Sequence, residues 1–266
     1  MRRVLRVAAL LLLLPSVLSS QTAIALTEPA YATAPPAMNT TKLPPGFIGQ
    51  NPWEIYESLA AVGGPRSEFE TTEAYAARLA AAPRRMVAAT AELWSGDASL
   101  NYDADKARLT ACLLLSNAGL MNGGRTFPQS FPLLHEETGS GTYRRNDLYG
   151  ASGAVRATYA REVRLAINSG KDVPFKKYYG APELRFEVPM TPAQAMQAKG
   201  EKQLGVLVFF APAPPYVTTY QKTTGPAPNW LTRTTTEQFF IFGQIKAVWF
   251  YNKTDGAIYE KWQPKK

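Results

Sequence analysis

Two apolar runs in the last third of the chain constrain its fold more than any other feature. Residues Gln203 to Phe210 are nearly all apolar, and the run is short for a helix, which predicts a strand buried on both faces. Residues Gln238 to Tyr251 form a longer run of the same kind. Residues Gly256 to Trp262 can return beside it after a turn at Asp255 and Gly256. A chain with such runs must build a sheet that is covered on both sides.

The aromatic residues of these runs are expected in the core rather than in a stacking site for sugars or bases, because they fall among aliphatic neighbours on predicted strands. They are Phe239, Phe240, Phe242, Trp249, Phe250, Tyr251, Tyr259 and Trp262.

Three further segments indicate strands. Residues 184–188 alternate between apolar and charged side chains, which predicts a half-buried strand. Residues 103–106 lie between two apolar runs and predict a hairpin turn. Residues 155–167 have a period of two with Arg161 as its exception, but a four-residue helical spacing also fits part of the segment. We favour a strand there because a helix would leave Leu165 off the apolar side.

Three short helices are expected beside these strands. The first covers residues 52–59. The second begins after Thr71 or Thr72, with Tyr75 and Leu79 on its buried side and Phe69 packed against that side as a staple. The third covers residues 191–199, with Thr191 as its cap and Gly200 closing it. We expect the second and third helices to cover the sheet.

The N-terminal 25 residues have the pattern of a cleavable secretory signal. Three arginines within residues 1–6 precede an apolar stretch at 7–18, and residues 23–25 form a small-x-small cleavage site. Cleavage is therefore expected between Ala25 and Leu26. The apolar stretch is shorter than the roughly 20 residues that a spanning helix needs, so no membrane span is expected in the mature chain.

Residues 26–50 contain five prolines among alanines and threonines, which predicts a poorly ordered leader. Residues 51–266 are expected to form a single domain. Cys112 is the sole cysteine, so no intramolecular disulfide can form, and its apolar neighbours predict a buried, unreactive thiol. A secreted protein of this size without a disulfide fits a bacterial periplasm best.

The charge balance is basic but diffuse. The sequence has 29 Lys and Arg against 21 Asp and Glu, a net charge of +8, and removal of the signal with its three arginines leaves +5. The basic residues form separated pairs rather than a dense run, which favours an ordinary solvated surface over a nucleic-acid site. Weak binding of an acidic polymer stays open as an alternative.

The chain lacks the motifs that would identify an enzyme. His135 is its one histidine, so a site with paired histidine ligands is excluded, and we expect a loop histidine without a special role. Phosphate loops and nucleophile elbows are also absent, and no metal or cofactor is expected. If the protein is an envelope hydrolase, Glu136, Glu137 and Asp147 are the first candidates for its carboxylate chemistry.

The best candidate for surface binding is the segment from Tyr143 to Tyr149. Tyr143, Arg144 and Arg145 bring two guanidinium groups next to an aromatic ring, a combination that can hold a carboxylate or a phosphate. The alternative is a solvated strand end.

A set of short motifs resembles a loose group of uncharacterised bacterial secreted proteins. The motifs are Phe69-Glu70-Thr71 followed by Tyr75 and Arg78, the hairpin at 102–106, the bend at 149–150, and the Trp-containing strand and turn at 249–256. The resemblance spans residues 65 to 262 and supports a strand at 155–167. It implies no activity, cofactor or catalytic residue.

Together these patterns predict an α+β fold, mainly an antiparallel sheet with a few short helices. We expect an exported, periplasmic or secreted, cell-envelope binding or accessory protein without catalytic activity. Its partner would be an envelope protein or a small ligand rather than nucleic acid. The alternatives are an envelope hydrolase that uses carboxylates and a weak binder of acidic polymers.

Overall fold

A computed structural model describes residues 30–64, 66–82, 85–91, 93, 100–117, 129–146, 152–167, 176–178, 181–200, 203–225 and 232–264. Within these residues the helices are α1 (Pro52–Gly63), α2 (Thr72–Ala80) and α3 (Pro192–Gly200). The strands are β1 (Val87–Ala91), β2 (Leu100–Asp103), β3 (Arg108–Leu114), β4 (Ser116–Asn117), β5 (Gln129–Asn146), β6 (Ser152–Ile167), β7 (Lys176–Tyr178), β8 (Ala181–Pro189), β9 (Leu204–Thr224), β10 (Thr232–Asn252) and β11 (Ile258–Trp262).

The larger sheet of the described chain has seven strands. Its order is β1-β9-β10-β6-β5-β4, with β11 also paired to β10. Only β10 and β6 run parallel to each other in this sheet, and the other pairs are antiparallel. The predicted α+β fold with a mainly antiparallel sheet is therefore confirmed. The predicted strand at 155–167 lies within β6, where Leu165 is fully buried.

A second, four-stranded sheet with the order β2-β3-β8-β7 packs on one face of the larger sheet. The rings of Phe186 in β8 and Phe250 in β10 stack 5.4 Å apart between the two sheets. The predicted hairpin at 103–106 joins β2 to β3, and the alternating segment at 184–188 lies in β8. Close packing of two sheet faces gives the protein its main core.

The helices differ from the prediction in what they cover. Helix α1 packs against β9, β10 and β6, and Ile55 and Leu59 are buried there. Helix α2 begins after Thr71 as expected, but it lies beside α1 and has no buried residue. Phe69 is 90% exposed, so the predicted staple is wrong. Helix α3 contributes Ala195 and Ala198 to the core. Gly200 is the last residue of this helix, whereas the prediction ended the helix at residue 199.

Residues 30–50 lie against the other face of the larger sheet, which differs from the loose order expected for this part of the leader. Leu43 is 2% exposed, and its amide N–H donates to the carbonyl oxygen of Gly256 over 2.8 Å. The hydroxyl of Tyr251 donates to the carbonyl oxygen of Phe47 over 3.0 Å, and burial raises the pKa of Tyr251 to about 12. A few apolar side chains are enough to hold residues 30–50 on the sheet, because the sheet supplies the rest of the buried apolar surface.

Coverage of both faces explains why β9 and β10 are mostly apolar in the half near the core, with Gln244 and Lys246 of β10 as exposed exceptions. Residues 203–210 are buried on both faces, as predicted. Most of the aromatic residues expected in the core are there, although Tyr259 is 36% exposed. Cys112 is buried, as expected, and burial raises the pKa of its thiol to about 11, which leaves it protonated at neutral pH. No described helix has the length and apolar character that crossing a bilayer requires.

Candidate binding surface

Four strands continue beyond the packed core and form an extension with two accessible faces. We call this region the distal sheet, and it consists of residues 136–146, 152–161, 218–224 and 232–237. Most of its described side chains are exposed or half-buried, whereas the same strands β9 and β10 are buried on both faces closer to the core. A sheet that is exposed on both sides is available for binding on both sides.

One face of the distal sheet carries the exposed tyrosines, and we call it the tyrosine face. Tyr143 is 36% exposed and Tyr159 is 51% exposed. Between them the register places small residues, because Gly141 lies opposite Ala157 and Gly139 lies opposite Tyr159. Arg233 is paired with Ala157 and completes this row. The result is a shallow floor between two aromatic rings, next to a guanidinium group.

The opposite face, the hydroxyl face, carries a row of four hydroxyl groups. Ser140 is paired with Thr158, Thr158 with Thr234, and Thr234 with Thr224. Residues directly opposite in neighbouring strands project to the same side, so the hydroxyls follow one another at the strand spacing of about 4.8 Å. Such a row can donate and accept hydrogen bonds along a flat polar ligand.

The hydroxyl face is also basic. Arg144, Arg156 and Lys222 project to this side and are exposed, while Glu137 is the one carboxylate that the register places beside the row in the described distal sheet. On the tyrosine face, by contrast, Arg161 pairs with Glu237, with 3.5 Å between guanidinium nitrogen and carboxylate oxygen. The two faces therefore differ in charge.

The structure separates the residues of the predicted surface site. Tyr143 and Arg145 lie on the tyrosine face, and Arg144 lies on the hydroxyl face, because successive side chains of a strand alternate. The two guanidinium groups thus do not form a joint clamp, and Tyr149 lies outside the described residues. Sequence reasoning missed the hydroxyl row, for which the Thr-rich segment 232–236 was the available signal.

His135 corrects a second expectation, because it lies within strand β5 and not in a loop. Its Nδ1 atom is 3.1 Å from Oε1 of Glu162. Oε2 of Glu162 accepts hydrogen bonds from Arg164 over 2.8 Å and from Gln238 over 2.9 Å. Arg164 in turn donates to the hydroxyl of Ser130 over 3.1 Å. This polar network connects β5, β6 and β10 at the base of the hydroxyl face.

The carboxylate of Glu162 stays ionised within this network. Burial alone would raise its pKa, but attraction to Arg164 and hydrogen bonds from Gln238, Arg164 and His135 outweigh burial and lower the pKa. The side chains of Arg164 and Glu162 are 7% and 17% exposed. The network therefore holds three strands together and fixes the end of the hydroxyl face that lies next to the core.

The carboxylates considered for catalysis do not converge. Glu136 lies opposite Arg161 on the tyrosine face, and Glu137 lies opposite Ala160 on the hydroxyl face. Asp147 lies outside the described residues, as do Ala25 and Leu26 at the predicted cleavage site. Within the described part of the chain, no group of three or more His, Cys, Asp or Glu is arranged to hold a metal ion.

A second surface feature is an open groove between α1 and α2. Its lining includes Ala60, Ala74 and the exposed ring of Phe69. Arg78 and Glu70 hold the groove together with two hydrogen bonds of 2.9 and 2.7 Å, and these bonds and the attraction of the guanidinium lower the pKa of Glu70. The Phe-Glu-Thr motif thus builds a helix start, with Thr71 accepting from the amide of Ala74.

No protein family matches this chain, and neither does any curated protein or solved structure. The pairing of its own strands defines the fold class: an α+β protein whose mixed, mostly antiparallel sheets are accompanied by three helices in the described residues.

Proposed function

We propose that this chain is an exported cell-envelope binding or accessory protein without catalytic activity, and that the distal sheet is its binding surface. The observation that carries this proposal is the continuation of four strands beyond the core with both faces accessible. Export rests on the signal pattern of residues 1–25.

The two exposed tyrosines support a binding role. Large aromatic side chains on an accessible sheet are enriched at interfaces because they bury much area and lose little side-chain entropy. Tyr159 is half exposed and lies beside Gly139 and Gly141, so a partner can cover its ring without rearrangement of the sheet. The separation of Glu136 from Glu137 supports binding over hydrolysis by a pair of carboxylates.

Site-specific crosslinking in the source cell tests this proposal. A photo-crosslinking residue would replace Tyr159 on the tyrosine face or Thr234 on the hydroxyl face, and Met196 of α3, which is 74% exposed, would be the matched control. We expect one dominant envelope protein or ligand to be captured from a distal-sheet position and not from Met196. We also expect the N-terminus of the recovered protein to be Leu26.

Two outcomes would contradict the proposal. The first is hydrolytic turnover of an envelope substrate by the purified protein, lost on substitution of Glu136 or Glu137. The second is equal capture of many unrelated proteins from all three positions, since this would show no preference for the distal sheet.

The charge of the hydroxyl face favours a second candidate function, weak binding of an acidic polymer. Arg144, Arg156 and Lys222 surround a hydroxyl row, an arrangement that suits carboxylated polysaccharides. Retention on an immobilised carboxylated polysaccharide should fall steeply as salt is added. It should also fall with Arg156→Gln and not with Arg233→Gln, which alters the other face.

A further inference from the structure

Among the described residues, the outer edge of β5 has no strand paired with it beyond Ser130, although β1 makes contacts with β5. On that side β4 pairs only with Gln129 and Ser130, and no other described strand pairs with residues 131–146. None of the backbone hydrogen bonds formed outside the regular elements of the described chain reaches these residues. An edge of this kind carries a row of amide and carbonyl groups that can pair with another strand.

A bulge in β5 fixes which side chains of this edge share a face. Glu137 pairs with Ala160 and Gly139 pairs with Tyr159, so Thr138 is an extra residue. As a result Glu136, Gly139, Gly141, Tyr143 and Arg145 all lie on the tyrosine face. Glu137, Ser140, Thr142 and Arg144 lie on the hydroxyl face.

The charged residues along this edge are complementary to those of a second copy of β5 that runs antiparallel to it. When two copies of β5 are placed antiparallel about Gly141, Thr142 falls opposite Ser140 of the second copy, and Tyr143 falls opposite its Gly139. The extra residue Thr138 then shifts the register by one position. Arg144 therefore faces Glu137 of the second copy, and Arg145 faces its Glu136.

Every pair in this register joins side chains on the same face, as antiparallel pairing requires. The twofold axis makes each arginine–glutamate pair occur twice, which gives four ion pairs. Tyr143 lies across from a glycine, a combination that covers exposed strand backbone with an aromatic ring. Without the bulge at Thr138, Arg144 would face Thr138 and Arg145 would face Glu137, so only one of the two arginine–glutamate pairs would form at each end.

The free edge of β9 lacks these features. Among the described strands, residues 211–224 of β9 pair only with β10. Pro212, Pro214 and Pro215, which precede the distal sheet, have no amide N–H to donate. Within the distal sheet, Lys222 is the one charged side chain of residues 218–224, so this edge has no pattern of opposite charges like that of β5.

We propose that two copies of this chain associate through the outer edges of their β5 strands, antiparallel about Gly141, and so form one continuous sheet. Self-association of the purified chain can be measured separately from capture of an envelope partner. Because the contact is an edge of about ten residues, the association is expected to be weak, with a dissociation constant on the order of 10 µM.

Sedimentation of charge-reversed variants tests the pairing. Glu136→Arg with Glu137→Arg places four arginines at each end, and Arg144→Glu with Arg145→Glu places four glutamates there. Each double variant should raise the dissociation constant by roughly a hundredfold. An equimolar mixture of the two should associate again, because each arginine then meets a glutamate of the other chain. Arg156→Glu with Arg233→Glu, away from the edge, should associate like the wild type.

A wild-type protein that stays monomeric at roughly 500 µM would overturn the proposal. It would also be overturned by a mixture that associates no better than its separate components. Circular dichroism of each variant identifies any loss of folding, and the mixture then compares chains that are shown to be folded.

Cysteine crosslinking tests the register itself. In the proposed pairing Gly141 faces its own counterpart at about 5 Å between Cα atoms, within the range for a disulfide. A Cβ atom at Gly141 would meet nothing within 4 Å, so Gly141→Cys fits the folded chain. Gly139→Cys is the matched control, because its counterpart would be roughly 13 Å away. We expect a covalent dimer on mild oxidation from Gly141→Cys only, and equal crosslinking at both positions would contradict this register.

Discussion

The two halves of strands β9 and β10 differ sharply in their surroundings. Near the core, the four-stranded sheet covers one face and residues 30–50 cover the other, so Phe209, Trp249 and Phe250 are fully buried. In the distal sheet the same two strands carry threonines and charged residues at the surface. Backbone pairing therefore extends the sheet beyond its core, whereas most of the stabilisation from burial of apolar area comes from the half near the core.

The largest effect is expected where the two sheets meet. Phe250→Ala removes a fully buried ring that stacks on Phe186 and should lower the free energy of unfolding by about 3–5 kcal/mol. Urea denaturation measures this loss. Phe69→Ala makes the same change at a ring that is 90% exposed, and it should cost less than about 0.5 kcal/mol. A loss below about 1 kcal/mol at Phe250 would show that the sheets are not closely packed.

The next effect concerns the attachment of residues 30–50. Gly256 has a φ of +76°, and a Cβ atom there would lie 1.8 Å from the carbonyl oxygen of Leu43. Gly256→Ala should therefore cost about 2–3 kcal/mol and speed proteolysis within residues 30–50. Gly46→Ala is the control, because φ there is +71° but nothing lies within 4 Å of the new methyl group. Gly46→Ala should cost about 1 kcal/mol. Equal losses of stability in the two variants would show that backbone strain accounts for the effect at Gly256 and that the contact with Leu43 does not contribute.

The third prediction lies at the boundary between the halves. Glu162→Gln weakens the bonds to Arg164 and Gln238 and should cost about 2 kcal/mol at pH 7. Because the folded protein lowers the pKa of Glu162, its stabilisation is complete above the ordinary glutamate pKa and is lost as the pH falls through the lowered value. Urea denaturation at a series of pH values should show the two proteins converging in acid. Glu137→Gln, an exposed change on the same sheet, should show no such convergence.

The smallest effect on stability is expected in the distal sheet. Tyr159→Ser replaces a ring that is half exposed, and it should change the free energy of unfolding by less than about 0.5 kcal/mol. The same variant should reduce capture of the envelope partner. A loss of stability comparable to that of Phe250→Ala would mean that the ring is part of the core and not of a binding surface.

The strands could be predicted to the extent that their burial was visible in the chain. Residues 203–210 and 238–251 are apolar enough to specify buried strands, and the turn at Asp255 and Gly256 specifies the hairpin between 238–251 and 256–262. The threonines at 232–236 carry no such signal, so the distal halves of β9 and β10 were not foreseen. Residues 30–50 were also expected to be loose, because their few apolar side chains become buried only against a sheet formed by distant residues.

The candidate site was predictable in its residues but not in its geometry. The sequence shows an aromatic residue next to two basic residues, Tyr143, Arg144 and Arg145. Because side chains alternate along a strand, these three residues are divided between two faces of the sheet. His135 seemed to lie in a loop because Gly, Ser and Pro surround it. In the structure His135 is part of a polar network through its contact with Glu162. Glu162 lies 27 positions away in the chain and is brought next to His135 only by the pairing of β5 with β6.

The sequence by itself determined the fold class, the buried thiol and the apolar half of the main sheet, since these follow from local periodicity and composition. The tertiary structure alone decided which helix covers the sheet, where residues 30–50 lie, and which polar side chains share a face. Those features depend on contacts between residues far apart in the chain and on a one-residue bulge at Thr138, and a pattern of residue types does not encode either one locally.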